Sequence, residues 1–298
     1  MLMIQRTRTF LKNISWEHNI KAVVFLGLLL IGNLGAYASS VPAIQTKASL
    51  IAEESTVQPG RPFWIALRLV MGEGWHTYWR NPGDAGLATS ISWDLPQGFV
   101  AGEPLWPYPH KIAASSITSF GYEGEVCLLV QITPTHAITS GSSITIKAVV
   151  NWLECQDACR PGEAELNLEL PLSEGTPQKN NQWQKQFSSS RSSLPLLSSA
   201  WQLSASSNNN EFELLLTAVV ENADWPDQLF FYPEQGDLID HAAVQTIEKN
   251  RGGLLLRLKK SPYLLEQPKR LKGVLVSPSA WLKKHSAHAL QVDVEIRP

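Results

Sequence analysis

Cysteine is scarce in this sequence, with three in 298 residues. That is too few for the paired-cysteine ligand sets of a structural zinc site. Charge is scarce too: 17% of residues are charged and the formal net charge is −2, so no basic surface calls for nucleic acid. No long helix-period segment and no convincing internal repeat appear. Beyond the N-terminus, no apolar run approaches a transmembrane helix. A G-x-S-x-G elbow, a phosphate loop and an H-E-x-x-H helix are all missing, which leaves hydrolase chemistry with little support.

What is present is a globular composition, 44% hydrophobic, with eleven tryptophans, six of them in the first half. The length suffices for two ordinary domains. The N-terminus reads as an export signal. Arg6, Arg8, Lys12 and Lys21 precede or flank the apolar run Ala22 to Ile31, and Ala36-Tyr37-Ala38 is a small-x-small cleavage site before Ser39. The stretch from Ala22 to Ala38 is interrupted by Asn33 and is shorter than the about 20 residues a membrane span needs. A cleaved signal peptide over 1–38 is therefore expected, with a retained anchor as the alternative. Cleavage removes four basic residues and Glu17, moving the net charge from −2 to −5. The product would be a mildly acidic protein outside the cytoplasm, where disulfides persist.

Period-2 alternation dominates the remainder. Phe63, Ile65, Leu67 and Leu69 alternate in one run; Ala164, Leu166, Leu168 and Leu170 in another; Leu290, Val292, Val294 and Ile296 in a third. Such runs put one face on a core and the other in water. Gly, Pro and Asn clusters such as "NPGDAG" separate them. The expected class is all-β, an antiparallel β-sandwich over 41–172 followed by a second, smaller β-domain over 199–298. The polar, Ser-rich stretch 173–198 reads as a linker. Trp183 and Phe187, four apart, would let a short helix dock there.

"NWLECQDACRPGE", residues 151–163, holds Cys155 and Cys159. In a straight strand their Cα atoms would lie about 13 Å apart, whereas a disulfide needs them within about 7 Å. The pair can bridge only if "CQDAC" folds back as a turn. As a staple it is poorly placed: closing a five-residue loop contributes about 2 kcal/mol on the chain-entropy model, against about 3.6 kcal/mol for a bridge from Cys127 to Cys155. As a redox pair it is well placed, since a tight exposed loop favours a reducible disulfide. A metal site finds little support, because His76, His110 and His136 lack ligand spacing. All three readings stay open on the residues alone. Arg160 would favour a thiolate, while Glu154 and Asp157 oppose it.

Cys127 sits in the apolar run "GEVCLLVQI" and reads as a buried small hydrophobe, with a third exchangeable thiol as the sharper alternative. In "GWHTYWRNPG", Trp75, Tyr78 and Trp79 could form a binding platform or pack beneath the cysteine loop. His76 could act as an acid or base, or be a hydrogen-bonded structural histidine.

Several separated motifs, in order, resemble the N-terminal periplasmic region of the DsbD/ScsB family of thiol:disulfide interchange proteins. They are "GWHTYWRNPGDAG" at 74–86, "WPYPHK" at 106–111, "SFGYEGEV" at 119–126 and "NWLECQDACRPGEAELNLELP" at 151–171. In the second half, "FFYPEQGDLIDHAAVQ" at 230–245 resembles the rest of the ScsB-type region. The resemblance implies an immunoglobulin-like fold with no cofactor and no metal, and Cys155 and Cys159 as a redox pair, with Cys159 attacking and Cys155 resolving. It implies a cap loop, Phe120-Gly121-Tyr122-Glu123, that shields the pair. Trp75, His76, Tyr78, Trp79, Trp152 and Arg160 would support the site. It also implies thioredoxin-fold periplasmic partners. Full-length relatives continue into a membrane domain and a thioredoxin-like domain, which this sequence does not contain up to Pro298, so a separate membrane-embedded donor is expected. Two competing classes remain: a non-catalytic binding or adhesion sandwich with a structural disulfide, and a chaperone-like factor using a sheet edge.

Overall fold

The computed structural model describes residues 44–114, 117–135, 143–197, 201–219, 225–250, 253–279 and 288–297. The expected signal segment 1–38 and His136 lie outside them. Alternation decides the first sheet. Strand β2 (Phe63–Val70) buries Phe63, Ile65, Leu67 and Leu69 on one face. Each such side chain contributes about 1.5–3 kcal/mol when taken out of water. Strand β2 pairs antiparallel with β1 (Lys47–Ala52) and with β8 (Glu125–Pro134), and β5 (Phe99–Ala101) joins the far side of β8.

The second sheet has the order β10-β9-β3-β7-β6, with β4 also paired to β9. Its strands are β3 (His76–Gly83), β4 (Ser90–Asp94), β6 (His110–Ala114), β7 (Ile117–Glu123), β9 (Ser143–Cys155) and β10 (Cys159–Pro171). Along β9, Ile144, Ile146, Ala148, Val150 and Trp152 are buried and their alternate neighbours are not. These residues meet the β2 face in one core that includes Trp79 and Phe120. The architecture is the all-β antiparallel sandwich that the alternation predicts.

The polar stretch after β10 folds as one short helix, α1 (Gln184–Ser192), on the outer face of the first sheet. Phe187 anchors it among Ile51, Ala66, Cys127 and Leu129. The Ser190 hydroxyl donates to the Cys127 carbonyl at 2.7 Å.

Residues from Trp201 onward form a seven-stranded sheet of order β13-β16-β17-β11-β12-β15-β14. The strands are β11 (Trp201–Ser207), β12 (Glu211–Ala218), β13 (Phe230–Pro233), β14 (Thr246–Asn250), β15 (Gly253–Lys259), β16 (Arg270–Val276) and β17 (Ala289–Arg297). This sheet has its own core around Phe212, Leu256 and Leu275. Tyr232, Val274, Val276 and Ala289, however, join the core of the first two sheets. Ile44–Pro298 accordingly forms one compact unit.

Candidate redox site

Strands β9 and β10 form a long hairpin, in register from Ser143 opposite Pro171 to Cys155 opposite Cys159. Gln156, Asp157 and Ala158 make its tip, so the chain reverses inside "CQDAC". Directly opposed residues in an antiparallel pair lie close enough for a bridge. Cys155 and Cys159 are disulfide-bonded, with Cα atoms 4.1 Å apart. The two sulfurs differ in environment: Cys155 is 2% exposed, whereas Cys159 is exposed.

The pleat explains what covers Cys155. His76 pairs with Cys155 across β3 and β9, so their side chains share a face. Tyr78, two residues along β3, lies on that same face. Its hydroxyl donates to Cys155 Sγ at 2.8 Å and stands 3.6 Å from Cys159 Sγ. His76 Nε2 is 3.3 Å from the Tyr78 hydroxyl, and the two rings meet edge to face. Burial lowers the His76 pKa, opposed by the charge of Glu123, and burial raises the Tyr78 pKa. With the Tyr78 proton directed to sulfur, the Tyr78 oxygen is left to accept from His76 Nε2, the role this nitrogen takes when it carries a proton.

The opposite face of the hairpin carries the supports. Trp75 is buried, and the Arg160 guanidinium stacks 4.7 Å from its ring centroid. Trp152 lies across Gly162, where a Cβ would overlap the indole. The Glu154 side chain is fully buried. Its carboxylate accepts the backbone N–H of Gln45 at 2.8 Å and of Thr46 at 2.7 Å, and faces Trp152 Nε1 at 3.5 Å. Glu154 thus spends its charge on the entry to β1, on the face away from the sulfurs.

Phe120, Gly121, Tyr122 and Glu123 require a correction. They lie in strand β7, not in a loop. Tyr122 pairs with Thr77 and Gly121 with Tyr78. The pleat therefore turns the Phe120 and Tyr122 rings to the core, away from the cysteine face. Phe120 is fully buried against Phe230, Tyr232 and His241. Tyr122 donates its hydroxyl to the Pro107 carbonyl at 2.7 Å. Gly121 and Glu123 share the His76 and Tyr78 face, with Glu123 opposite His76 and exposed at the strand end. Trp79 is likewise a core residue, edge-on to Tyr232.

Cys127 is a free, buried thiol on the far face of the first sheet, beneath α1. Burial, helped by Glu125 and opposed by Arg68, pushes its pKa up to about 12. Among the described residues no group of three His, Cys, Asp or Glu side chains could hold a metal ion, and no helix is long and apolar enough to cross a membrane.

Residues 47–171 match the family model for "Thiol:disulfide interchange protein DsbD, N-terminal". Among solved structures, the N-terminal periplasmic domain of ScsB from Proteus mirabilis superposes with a TM-score of 0.60 at 19% identity, over 84% of this chain and 94% of that one. The N-terminal domain of DsbD from Neisseria meningitidis, in the reduced form, aligns at 14% identity over 45% of this chain and 90% of that one, with a TM-score of 0.26. No curated protein matches the chain. The matched segment carries the hairpin and its cysteine pair, and the likeness in fold to the ScsB domain extends beyond it.

Proposed function

We propose that this chain is a periplasmic thiol–disulfide exchange module that relays reducing equivalents from a membrane-embedded donor to oxidised partner proteins of the thioredoxin fold. One observation carries the reading. The Cys155–Cys159 bridge sits at a hairpin tip with one sulfur exposed and the other buried under a hydroxyl donor. That asymmetry suits exchange, which needs one sulfur within a partner's reach and one stabilised as the leaving group.

In the reduced pair, the Cys159 thiolate attacks a partner disulfide, because it is the sulfur a partner can reach. The partner's S–S bond breaks and one partner sulfur leaves as a thiolate. Cys155, as a thiolate held by the Tyr78 hydroxyl, then attacks the Cys159 sulfur of the mixed disulfide. The second partner sulfur leaves and is protonated, and Cys155–Cys159 is oxidised as the partner gains two electrons and two protons. Recharging by the donor is the same sequence in reverse. The pair lacks the helix N-terminus that activates a thioredoxin-type motif, so partner docking supplies part of the activation. The N-terminal export signal would deliver the domain to the compartment where this chemistry operates.

The test is transfer itself. The reduced chain is mixed with an oxidised thioredoxin-fold protein, and free thiols on both are counted after alkylation. Loss of two thiols from Cys155 and Cys159 with gain of two on the partner is expected. No transfer, in either direction, leaves a binding sandwich with a permanent disulfide.

A further inference from the structure

One end of β3 carries His76 and Tyr78; the other end is gripped by the third sheet. The two stretches "GWHTYWRNPGDAG" and "FFYPEQGDLIDHAAVQ" meet there. Arg80 pairs with Glu234 at 2.6 Å. Asn81, 3% exposed, donates its amide to the Pro233 carbonyl at 2.7 Å and accepts the Gly83 N–H at 3.0 Å. His241, 5% exposed, donates from Nδ1 to Asp84 Oδ1 at 2.8 Å, with its ring edge-on to Phe120. The other Asp84 oxygen accepts the Thr118 N–H at 2.8 Å. The Asp84 N–H goes to the Thr118 carbonyl at 2.9 Å, and the Ser119 hydroxyl to the Ala85 carbonyl at 3.0 Å.

The turn tied down in this way ends on Tyr78. Gly83 and Gly86 have φ of +83° and +120°, conformations that L side chains rarely adopt. A Cβ on Gly86 would overlap the Tyr78 ring, so the bare backbone lies flat against it. The turn is the wall behind the ring whose hydroxyl meets Cys155.

We propose that His241 is a positioning residue for the cysteine pair: through Asp84 it holds the Gly83–Gly86 turn against the Tyr78 ring and so fixes the Tyr78 hydroxyl on the Cys155 sulfur. The proposal rests on the exchange reading above and deepens it, giving the third sheet a part in the chemistry. A tyrosine ring without its wall can leave its rotamer, and a hydrogen bond weakens steeply once misaligned.

The step on which this acts is bridge opening. A thiolate of a small dithiol attacks Cys159 Sγ, the Cys155–Cys159 bond breaks, and its electron pair goes to Cys155 Sγ. That sulfur leaves as a thiolate accepting the Tyr78 hydrogen bond. The dithiol's second thiolate closes a cyclic disulfide and releases Cys159, and both cysteines take up protons. A better-stabilised leaving thiolate leaves faster.

The experiment measures the rate at which dithiothreitol reduces Cys155–Cys159, by alkylation and mass spectrometry, in the native chain and in His241→Ala, His241→Asn, Tyr78→Phe and the His241→Ala/Tyr78→Phe double variant. His241→Ala should slow reduction by about three- to tenfold, the scale of one ordinary hydrogen bond. His241→Asn, whose amide nitrogen can stand where Nδ1 stands, should recover most of the rate. In the Tyr78→Phe background His241→Ala should add nothing. A native rate in folded His241→Ala overturns the proposal, as does a His241 effect of equal size with and without the Tyr78 hydroxyl. If circular dichroism shows His241→Ala unfolded, Asp84→Asn takes its place under the same criteria. Dithiothreitol needs no protein partner, so these ratios decide the positioning even if the chain passes no electrons to a thioredoxin-fold protein.

Discussion

The Tyr78 hydroxyl lies 2.8 Å from Cys155 Sγ and 3.6 Å from Cys159 Sγ, nearer the buried sulfur than the exposed one. A donor so placed favours negative charge on Cys155, the sulfur that leaves when the bridge opens and attacks when it closes. Removing the hydroxyl while keeping the ring isolates this effect. Tyr78→Phe should slow reduction of the bridge by about tenfold with little change in thermal stability. An unchanged rate would mean that the hydroxyl only fills space.

The roles of the two cysteines separate by trapping. Incubated reduced with an oxidised thioredoxin-fold protein, Cys155→Ala keeps the exposed attacking sulfur and loses the resolver. It should accumulate a mixed disulfide visible on a non-reducing gel. Cys159→Ala, left with the 2%-exposed sulfur, should trap little. The reverse pattern would exchange the roles.

Cys127 predicts a pH dependence of stability. Its folded pKa is pushed up to about 12 by burial, above that of an unfolded cysteine, about 8.5. Between those values the unfolded chain gives up a proton that the folded chain keeps. The thiol's contribution is therefore fully present below about pH 8.5 and lost as pH rises towards 12, with a limiting slope of about 1.4 kcal/mol per pH unit. Urea unfolding at several alkaline pH values checks this. The native chain should lose stability faster than Cys127→Ala, whose shallower slope comes from the remaining groups. Parallel slopes would show that Cys127 titrates alike in both states.

Glu154 predicts a stability loss without a redox one. Its carboxylate satisfies two backbone N–H groups at the entry to β1 from a fully buried position. Glu154→Ala should cost about 3 kcal/mol in urea unfolding, since those donors are left without an acceptor. The dithiothreitol rate of the folded fraction should stay within about twofold of native, because the carboxylate points away from the sulfurs.

Much of this was legible in the sequence because it is local. Alternation in Phe63, Ile65, Leu67 and Leu69 marks a half-buried strand whatever it pairs with. The spacing of Cys155 and Cys159 demands a reversal if they bridge, and the hairpin provides it. The rest depends on pairing between distant segments. Whether Tyr78 or Trp79 faces the sulfurs is set by His76 lying opposite Cys155, a register that no local pattern fixes. The period of two did hold a clue: His76 and Tyr78 must share one face and Trp75, Thr77 and Trp79 the other. Phe120 and Tyr122 as covers followed from the family resemblance alone, and the pairing of their strand with β3 turns both rings to the core. Glu154 was expected to oppose a thiolate from its neighbouring position, yet adjacent strand residues point to opposite faces. His241 is 157 residues from Asp84, and only the packing of the third sheet brings them together.

The most direct test of the central claim is a redox titration of the purified chain against glutathione, read by alkylation and mass spectrometry. The exchange account expects Cys155 and Cys159 to interconvert as a pair at potentials of about −180 to −260 mV, while Cys127 reacts only after denaturation. A bridge that stays closed below about −300 mV, in the range of structural disulfides, would contradict it.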